Sequence, residues 1–351
     1  MNYTKQFINK QNLIHTRYEN EVFGCDSSQT HTSSNVSLTT YKTVVDNIQK
    51  THKYYGLNKN NLKEVKEKIK KQRNYLEYTC IHDKISNVYI PLKNIVMSAN
   101  HNSDRYYAEI QNRINTLIKE ANNNHLIPIF MTLTLPSEYH KMKTDKSTKK
   151  LISNKKYNHV PPKEAIKQLT RMWSRLRHDR SLKELTKDER IFYRVNEPHK
   201  DGTPHTHILL YVPSNTVNRV VNAFKRLFGT KANNIQTNIR NASAYIMKYI
   251  NKTLPLSKKE HLTEKEKYLN AWYSKHKIIR FNSSRTLAPL KLYRLLYSKF
   301  SLEELTKLVK NKKLKIFVPI DNLQKIMEIF NGDELIYRRS DNFKIINQNS
   351  V

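Results

Sequence analysis

Three segments in the middle of the chain alternate between apolar and polar positions with the period of a β-strand. Residues 127–135 form the first, and residues 191–197 and 203–212 form a pair separated by Asp201-Gly202. Asp-Gly between two strand-like runs predicts a hairpin. Because successive strand side chains point to opposite faces, the first strand has two distinct sides. Its two predicted faces are Met131, Leu133 and Leu135 on one side and Phe130, Thr132 and Thr134 on the other.

Helix-like periodicity lies between and around these strands. Pro161-Pro162 opens a predicted helix, since proline is favoured in the first turn. Its apolar face consists of Ile166, Leu169, Trp173 and Leu176. Further helices are predicted at 58–76, at 105–121, at 217–228 and after a capping Asn241. The chain is also predicted to be helical from Asn251 to about Lys277, and again after the capping box that begins at Ser301. A Lys-rich loop to Lys156, a strand over 234–239 and an extended segment over 278–285 complete the pattern, which predicts an α+β fold with an antiparallel sheet.

The chain is expected to have three parts. Residues 1–122 are predicted to form a mostly helical, basic region that is flexible near its start and is a candidate for DNA binding. Residues 123–256 form the predicted core, and residues 257–351 a helical, basic C-terminal extension. No candidate chemistry precedes residue 125.

Charge narrows the class of partner. Among 351 residues, 63 Lys and Arg face 30 Asp and Glu, for a formal net charge of +33. Such an excess is typical of nucleic-acid-binding proteins, although a generally basic protein or a membrane-surface protein would share it. No apolar run is long enough for a membrane span, and the beginning of the chain has no signal-peptide core, so we expect a cytoplasmic protein with no membrane partner.

The cysteines argue against a disulfide-bonded or zinc-finger protein, and the glycines argue against an NTP-driven motor. Cys25 and Cys80 are the only cysteines and have no pairing or zinc-finger spacing. The five glycines form no P-loop, so the chain has no recognisable NTP-driven motor.

His205 and His207 form the first chemical signal. Two residues apart on a strand, both imidazoles point to the same face, and the hairpin brings Glu197 roughly opposite His205. Two imidazoles and a carboxylate suit a divalent ion such as Mg²⁺ or Mn²⁺. The alternative is a pair of surface histidines with no ligand role. His199 lies in the turn, where we expect it to be exposed to solvent rather than a ligand.

Tyr245 and Tyr249 form the second signal. With Lys248 and Lys252 they occupy one stripe of the predicted helix, while Ile246 and Ile250 lie on the opposite side. Aromatic and cationic residues on one side favour an exposed surface that faces phosphate, where the tyrosines could act as nucleophiles. The alternative is two half-buried tyrosines in an ordinary helix.

In chain order, three segments resemble the motifs of HUH endonucleases, and in particular the bacteriophage replication gene A protein family of rolling-circle initiators. They are Phe130-Met-Thr-Leu-Thr-Leu135, Glu197-Pro-His-Lys-Asp-Gly-Thr-Pro-His-Thr-His207 and Tyr245-Ile-Met-Lys-Tyr249. This order is that of replication initiators, whereas conjugative relaxases place the tyrosine first. The resemblance covers about 125–255, extends faintly to Arg280–Arg285, and leaves 1–120 and 300–351 outside. Thr206 departs from the bulky hydrophobic residue that the family pattern has between the histidines.

The resemblance implies a five-stranded antiparallel sheet flanked by helices and a metal held by His205, His207 and Glu197. It implies that one tyrosine nicks origin DNA, leaving a 5′-phosphotyrosyl bond and a free 3′-OH, and that the second tyrosine allows rejoining. Tyr245, Tyr249 and Lys248 are then the expected catalytic residues. Lys252, Arg280 and Arg285 are expected DNA contacts.

The partners implied are single-stranded and origin DNA, a host helicase for strand separation and a host polymerase. Two alternatives stay open. A two-tyrosine transposase of a rolling-circle element would have the same chemistry, but such proteins typically carry a cysteine-rich zinc module. A non-catalytic DNA-binding regulator would bind DNA in a salt-sensitive way without nicking it.

Overall fold

The structure is a computed structural model that describes residues 54–145, 147–148, 151–254, 261–323, 325–339 and 342–347. These residues form two compact units. The larger contains the described residues from 54 to 286 together with 343–347, and the smaller those from 287 to 342. The flexible stretch predicted near the start of the chain lies outside the described residues, and the predicted domain boundaries at 122 and 256 stay predictions.

The described residues contain thirteen strands and ten α-helices. The strands are β1 Thr79–Asp83, β2 Val88–Pro91, β3 Ile127–Thr134, β4 Met142–Thr144, β5 Leu151–Ser153, β6 Ile191–Pro198, β7 Pro204–Val212, β8 Asn234–Gln236, β9 Phe281–Ser283, β10 Leu314–Phe317, β11 Glu328–Asn331, β12 Glu334–Arg338 and β13 Phe343–Asn347. The helices are α1 Lys59–Tyr78, α2 Leu92–Ile95, α3 Ser103–Asn123, α4 Pro162–His178, α5 Arg180–Lys183, α6 Val217–Phe228, α7 Ala242–Thr253, α8 Glu264–His276, α9 Leu290–Leu295 and α10 Leu302–Lys310.

A five-stranded sheet in the order β8-β3-β7-β6-β9 forms the centre of the larger unit. Every neighbouring pair in it is antiparallel. The predicted α+β class and five-stranded antiparallel sheet are therefore confirmed, and the predicted hairpin is β6–β7. The strand predicted over 234–239 is shorter than expected, since β8 ends at Gln236.

The two faces of this sheet bury different sets of side chains. On one face, Ile208 and Leu210 pack with the apolar sides of α4 and α6. On the other, Leu209 and Tyr211 pack with α3 and α7. The period-two alternation of β7 therefore separates the helices into two layers. The layer that contains α7 is the one that the histidines face.

The N-terminal part of the larger unit is not purely helical. α1 and α3 confirm the predicted helices, but β1 pairs with both β2 and β13. That sheet joins Thr79–Asp83 to Phe343–Asn347, two segments far apart in the sequence, which a local periodicity cannot reveal. The predicted Lys-rich loop likewise contains a short hairpin, in which β4 pairs with β5.

The smaller unit corrects the expectation of a helical C-terminal extension. The capping box is present, because Ser301 and Glu304 satisfy each other's backbone N–H groups and begin α10. However, β10, β11 and β12 form a three-stranded antiparallel sheet that covers the helices of this unit with Leu314, Ile329 and Ile336. Alternating apolar residues and a Gly332-Asp333 turn produce strands here rather than helix.

Among the described residues, none of the helices combines the length and the apolar character that a membrane span requires.

Candidate metal centre and tyrosine pair

Hairpin register places the predicted metal ligands side by side. Glu197 of β6 is directly opposite His205 of β7, and Val195 is opposite His207. The turn is closed by the His199 N–H, which donates to the Thr203 carbonyl at 2.8 Å. A β-hairpin with this register carries all three ligands on neighbouring positions of one surface.

Glu197, His205 and His207 form a cluster whose ligating atoms all lie within 4.8 Å of one another. Glu197 Oε2 is 3.8 Å from His205 Nε2 and 3.7 Å from His207 Nε2. The carboxylate is 1% exposed, and its Oε1 is buried without a hydrogen-bond partner. An orphaned carboxylate oxygen beside two imidazoles is the donor set that a divalent ion would satisfy. The residues present therefore fit a divalent metal.

Thr132 orients one of these imidazoles. Its Oγ1 is 3.0 Å from His207 Nδ1, across the β3–β7 pairing in which the two residues are partners. The tautomer that leaves Nε2 free to ligate carries its proton on Nδ1, which then donates to Thr132 Oγ1. Hydrogen bonds of this kind fix the ring orientation of metal-ligating histidines.

The charge states of the ligands also suit metal binding. Burial lowers the pKa of His205 well below its ordinary value, and the neighbouring imidazoles of His199 and His207 add to this. Burial alone would raise the pKa of Glu197, but the imidazole of His207 and the ammonium of Lys252 together bring it below its ordinary value. A neutral imidazole and an ionised carboxylate are the forms that bind metals.

His199 is not exposed as predicted. Its ring lies 4.1 Å from that of His205 and 5.0 Å from that of His140, centroid to centroid. Burial lowers the pKa of His199 to about 4, with a further contribution from His140. The cluster of possible ligands does not include His199, but its half-buried ring packs directly against that of His205.

The two tyrosines lie next to the ligands on α7. Asn241 caps this helix as predicted, accepting a hydrogen bond from the Ala244 N–H at 2.9 Å. The Tyr249 ring is 4.0 Å from that of His207 and stacks on Phe130 at 5.5 Å. Ile246 is buried as predicted, but Tyr245 and Tyr249 are half-buried against the same apolar cluster rather than exposed with the lysines.

The two hydroxyl groups have different surroundings. Tyr245 donates to Gln236 Oε1 at 3.1 Å, and its ring is 6.2 Å from that of Tyr249. The Tyr249 hydroxyl has no hydrogen-bond partner among the described residues. Burial, with smaller contributions from Tyr245 and Glu197, raises the pKa of Tyr249 to about 12. A phenol with this pKa needs help to act as a nucleophile.

Two lysines share the surface of the tyrosines. Lys252 donates from Nζ to Glu197 Oε2 at 2.6 Å while its side chain is 54% exposed. Lys248 is exposed, with its ammonium 6.0 Å from the centre of the Tyr249 ring. Lys252 therefore contacts the candidate metal ligands directly, whereas Lys248 lies beside the Tyr249 ring.

The two arginines expected to contact DNA, Arg280 and Arg285, differ in their exposure to solvent. Arg280 is 6% exposed, donates to the Thr253 carbonyl and to Asn270 Oδ1, and lies over the Tyr273 ring. Such burial argues against a DNA contact, because its guanidinium is already committed to holding the end of α7. Arg285 is exposed. The sequence signal, an arginine in a short basic segment, does not distinguish these two cases.

Thr206 has a structural explanation for its departure from the family pattern. Its hydroxyl donates to Asn196 Oδ1 at 2.8 Å across the hairpin, and both residues are buried. The Asn196 side chain in turn donates to the Ile279 carbonyl at 2.8 Å. A polar cross-strand pair therefore replaces apolar packing beneath the histidines.

The turn of the hairpin is held by residues that sequence reasoning missed. Gly202 has φ +91°, and a Cβ there would lie 2.4 Å from the Tyr55 carbonyl oxygen. Trp272 donates from Nε1 to the Gly202 carbonyl at 3.0 Å and is fully buried. Residues before 125 and after 256 therefore position the ligand hairpin. Gly56, which packs against Asp201, is the one local signal that could have suggested this contact.

Together the sheet and the site define a mixed α/β protein with a candidate divalent-metal centre beside a pair of tyrosines. The model of the bacteriophage replication gene A protein (GPA) family matches residues 25–256, and the chain belongs to that family. This confirms the resemblance to the replication gene A family but moves its beginning about a hundred residues earlier than predicted, to include the segment that contacts the hairpin turn.

Three relatives illustrate the match. The replication protein of Haemophilus phage HP1 is 34% identical over 161 residues, which is 42% of this chain and 19% of that protein. The replication gene A protein of Escherichia phage 186 is 31% identical over 50% of this chain and 24% of its own length. The replication gene A protein of Escherichia phage P2 is 27% identical over 56% of this chain and 27% of its own length.

The chain thus matches only about a quarter of the length of these relatives. No solved structure matches the chain.

Proposed function

We propose that this protein initiates rolling-circle DNA replication by nicking one strand of the origin through a tyrosine. The observation that carries the proposal is the contact between Tyr249 and His207, which puts a potential nucleophile against a candidate metal ligand. Membership of the replication gene A family supports replication rather than transposition as the setting.

The proposed reaction is a transesterification. The Tyr249 oxygen forms a bond to the phosphorus, the bond from phosphorus to the 3′ oxygen breaks, and the 3′ oxygen leaves as a free hydroxyl. The phosphate stays on the tyrosine as a 5′-phosphotyrosyl ester, so the energy of the bond is kept for rejoining. A divalent ion, Mg²⁺ or Mn²⁺, held by Glu197, His205 and His207 would polarise the scissile phosphate.

The lysines of α7 would complete the site. Lys252 can exchange its ion pair with Glu197 for a DNA phosphate, because its side chain is half exposed. Lys248 presents a second ammonium beside the Tyr249 ring. Two cations at the rim would stabilise the charge that builds up on the phosphate and lower the energetic barrier to attack by a phenol.

Tyr245 would serve the second transfer. Residues four apart on a helix have Cβ atoms about 5–6 Å apart, so both phenols can reach one phosphate position. When the origin is regenerated, Tyr245 would cut it, and the 3′-OH released by this second cut would attack the Tyr249 ester, free the Tyr249 hydroxyl and close a circle. Because the chain has no P-loop, we propose that a host helicase separates the strands and a host polymerase extends the 3′-OH.

The test is formation of a covalent protein–DNA adduct. The protein is incubated with Mn²⁺ and with single-stranded fragments tiling the replicon that encodes it, and adducts are resolved on denaturing gels. We expect an adduct on one fragment, its loss in the Tyr245→Phe/Tyr249→Phe double variant, and its loss in His205→Ala. An adduct that persists in the double variant would rule out the tyrosines.

A matched control separates chemistry from binding. His178→Ala removes an imidazole at the exposed end of α4 and should leave the adduct unchanged. If His205→Ala still binds the fragment with near-normal affinity while failing to cut it, the defect lies in the reaction. Salt-sensitive binding without cutting under any metal would instead favour the non-catalytic regulator.

A further inference from the structure

The exposed side of α4 carries an unbroken row of cations. Lys163, Lys167, Arg171 and Arg175 follow one another at every fourth position, and all four are exposed. Side chains four apart on a helix are neighbours, so the row is one continuous stripe. We call these four residues the α4 stripe.

Such a row works against the stability of the helix. Like charges at i,i+4 destabilise a helix, and carboxylates normally alternate with cations on exposed faces. Within the described part of the chain, Lys167 is the one member with an ion pair, to Glu164 at 2.9 Å. α1 shows the usual arrangement, since Glu64, Glu67 and Glu77 are interspersed among its lysines. Apart from the pair of Lys167 with Glu164, the α4 stripe is a concentration of charge that its own helix does not compensate.

The stripe lies on the opposite side of the sheet from the candidate metal centre. The buried side of α4 packs Leu169 and Leu176 against Ile208 and Leu210 of β7. His205 and His207 point from β7 to the other face, where the tyrosine helix packs. A polyanion bound to the α4 stripe would therefore not compete with the strand at the nicking site.

We propose that the α4 stripe is a second DNA-binding surface, which holds the phosphate backbone of double-stranded DNA. From residue 163 to residue 175 the helix rises about 18 Å, at about 1.5 Å per residue. Phosphates on one strand of a duplex recur about every 3.4 Å along the axis, so the stripe spans about five of them. The stripe is thus about as long as half a turn of duplex DNA, whose helical repeat is about 34–36 Å, so the four cations can lie along one stretch of the phosphate backbone.

The lack of aromatic residues on the stripe favours duplex over single-stranded DNA. Proteins that bind single strands use exposed aromatic rings on which unpaired bases stack. The one aromatic residue of α4, Trp173, is 3% exposed and belongs to the core. The neutral exposed residue between the cations, Thr170, donates its hydroxyl proton to the Ile166 carbonyl at 3.0 Å and offers no ring for stacking. The stripe therefore offers phosphate contacts that are independent of sequence.

The choice of DNA as the polyanion rests on the proposed function, but the two are tested separately. The probe is a 20-base-pair duplex of arbitrary sequence, and its affinity for the full chain is measured by fluorescence anisotropy over a range of salt concentrations. One variant removes the stripe by combining Lys163→Gln, Lys167→Gln, Arg171→Gln and Arg175→Gln. A matched control removes four exposed cations at the end of α10 and just after it by combining Lys307→Gln, Lys310→Gln, Lys312→Gln and Lys313→Gln.

The stripe variant should lose about a hundredfold or more in duplex affinity at 0.1 M salt, and its slope of log affinity against log salt should fall by about 3 to 4. The α10 control should lose much less duplex affinity. Adduct formation on single-stranded DNA should be unchanged in the stripe variant, and its melting temperature equal or higher because like-charge repulsion is relieved. Equal losses in both variants, or undiminished duplex binding by the stripe variant, would overturn the proposal. Failure of adduct formation in the unmodified protein would overturn the proposed function alone.

Discussion

The ring of Tyr249 lies 4.0 Å from the imidazole of His207, centroid to centroid, with 31° between the two planes. Tyr245, one helical turn earlier, instead packs edge-on against Phe130 and donates its hydroxyl proton to Gln236. The two tyrosines are thus unequal before any DNA is bound. The one beside the ligand has the free hydroxyl, and the other has a partner that must be released.

This inequality predicts a division of labour. Tyr249→Phe should abolish the first nick, whereas Tyr245→Phe should nick an origin fragment at close to the normal rate but fail to transfer the strand to a second origin. Gel assays with one and with two labelled origins measure the two steps. Equal loss of the first nick in both variants would show that the asymmetry has no kinetic consequence.

Thr132 should tune metal affinity although it cannot touch the metal. Thr132→Val keeps the β-branched shape and removes the hydroxyl that is 3.0 Å from His207 Nδ1. We expect Mn²⁺ affinity to fall by about 10–100-fold, as measured by titration calorimetry. Thr134→Val, two residues along the same face, is the matched control and should have little effect. Identical affinities in the two variants would mean that the hydroxyl does not orient the ring.

The hairpin turn should tolerate no side chain at Gly202. In Gly202→Ala the new Cβ meets the Tyr55 carbonyl oxygen at 2.4 Å, and the residue keeps φ at +91°. Strain and overpacking together should lower the free energy of unfolding by about 2–4 kcal/mol and weaken Mn²⁺ binding, since Glu197 and His205 flank this turn.

Gly332→Ala provides the comparison for this strain. Its φ is +61°, but nothing lies within 4 Å of the added Cβ. The cost should be about 1–2 kcal/mol, with Mn²⁺ binding unchanged. Urea denaturation measures the free energy of unfolding, and titration calorimetry measures Mn²⁺ affinity. If Gly332→Ala also lost Mn²⁺ binding, the loss in Gly202→Ala could not be attributed to the hairpin turn.

Acid should destabilise the fold partly through His276. Burial lowers the pKa of His276 to about 4, and the charges of Lys275 and Lys141 contribute. The unfolded chain takes up a proton near pH 6.5 while the folded chain does not, so stability falls as the pH drops from 6.5 towards 4 and levels off below. His276 should account for up to about 3 kcal/mol of this loss. His276→Gln should flatten the curve of unfolding free energy against pH, and an unchanged curve would refute the assignment.

The sequence predicted what depends on neighbouring residues. The histidines, Glu197 and the turn belong to one hairpin, so period and turn chemistry were enough to place the three ligands together. The tyrosine stripe likewise follows from helical spacing. In both cases a periodicity of a few residues determines which side chains share a surface.

Contacts between distant segments could not be predicted in this way. The hydrogen bond from Trp272 to Gly202 joins residues 70 positions apart, and β13 pairs with β1 near the other end of the chain. Arg280 looked like a DNA contact in a basic segment, yet its guanidinium is buried against Tyr273. The sequence around an arginine does not show whether its side chain is exposed or is buried and bonded to the end of a helix.

The proposal that Tyr249 attacks a phosphate at the metal centre is tested most directly by finding the residue that carries the DNA. The adduct formed with Mn²⁺ and a single-stranded origin fragment is digested with protease and nuclease, and the modified peptide is sequenced by mass spectrometry. We predict a nucleotide attached through its 5′ phosphate to Tyr249. Nicked DNA without any covalent tyrosine, or attachment to a residue outside α7, would contradict the proposal.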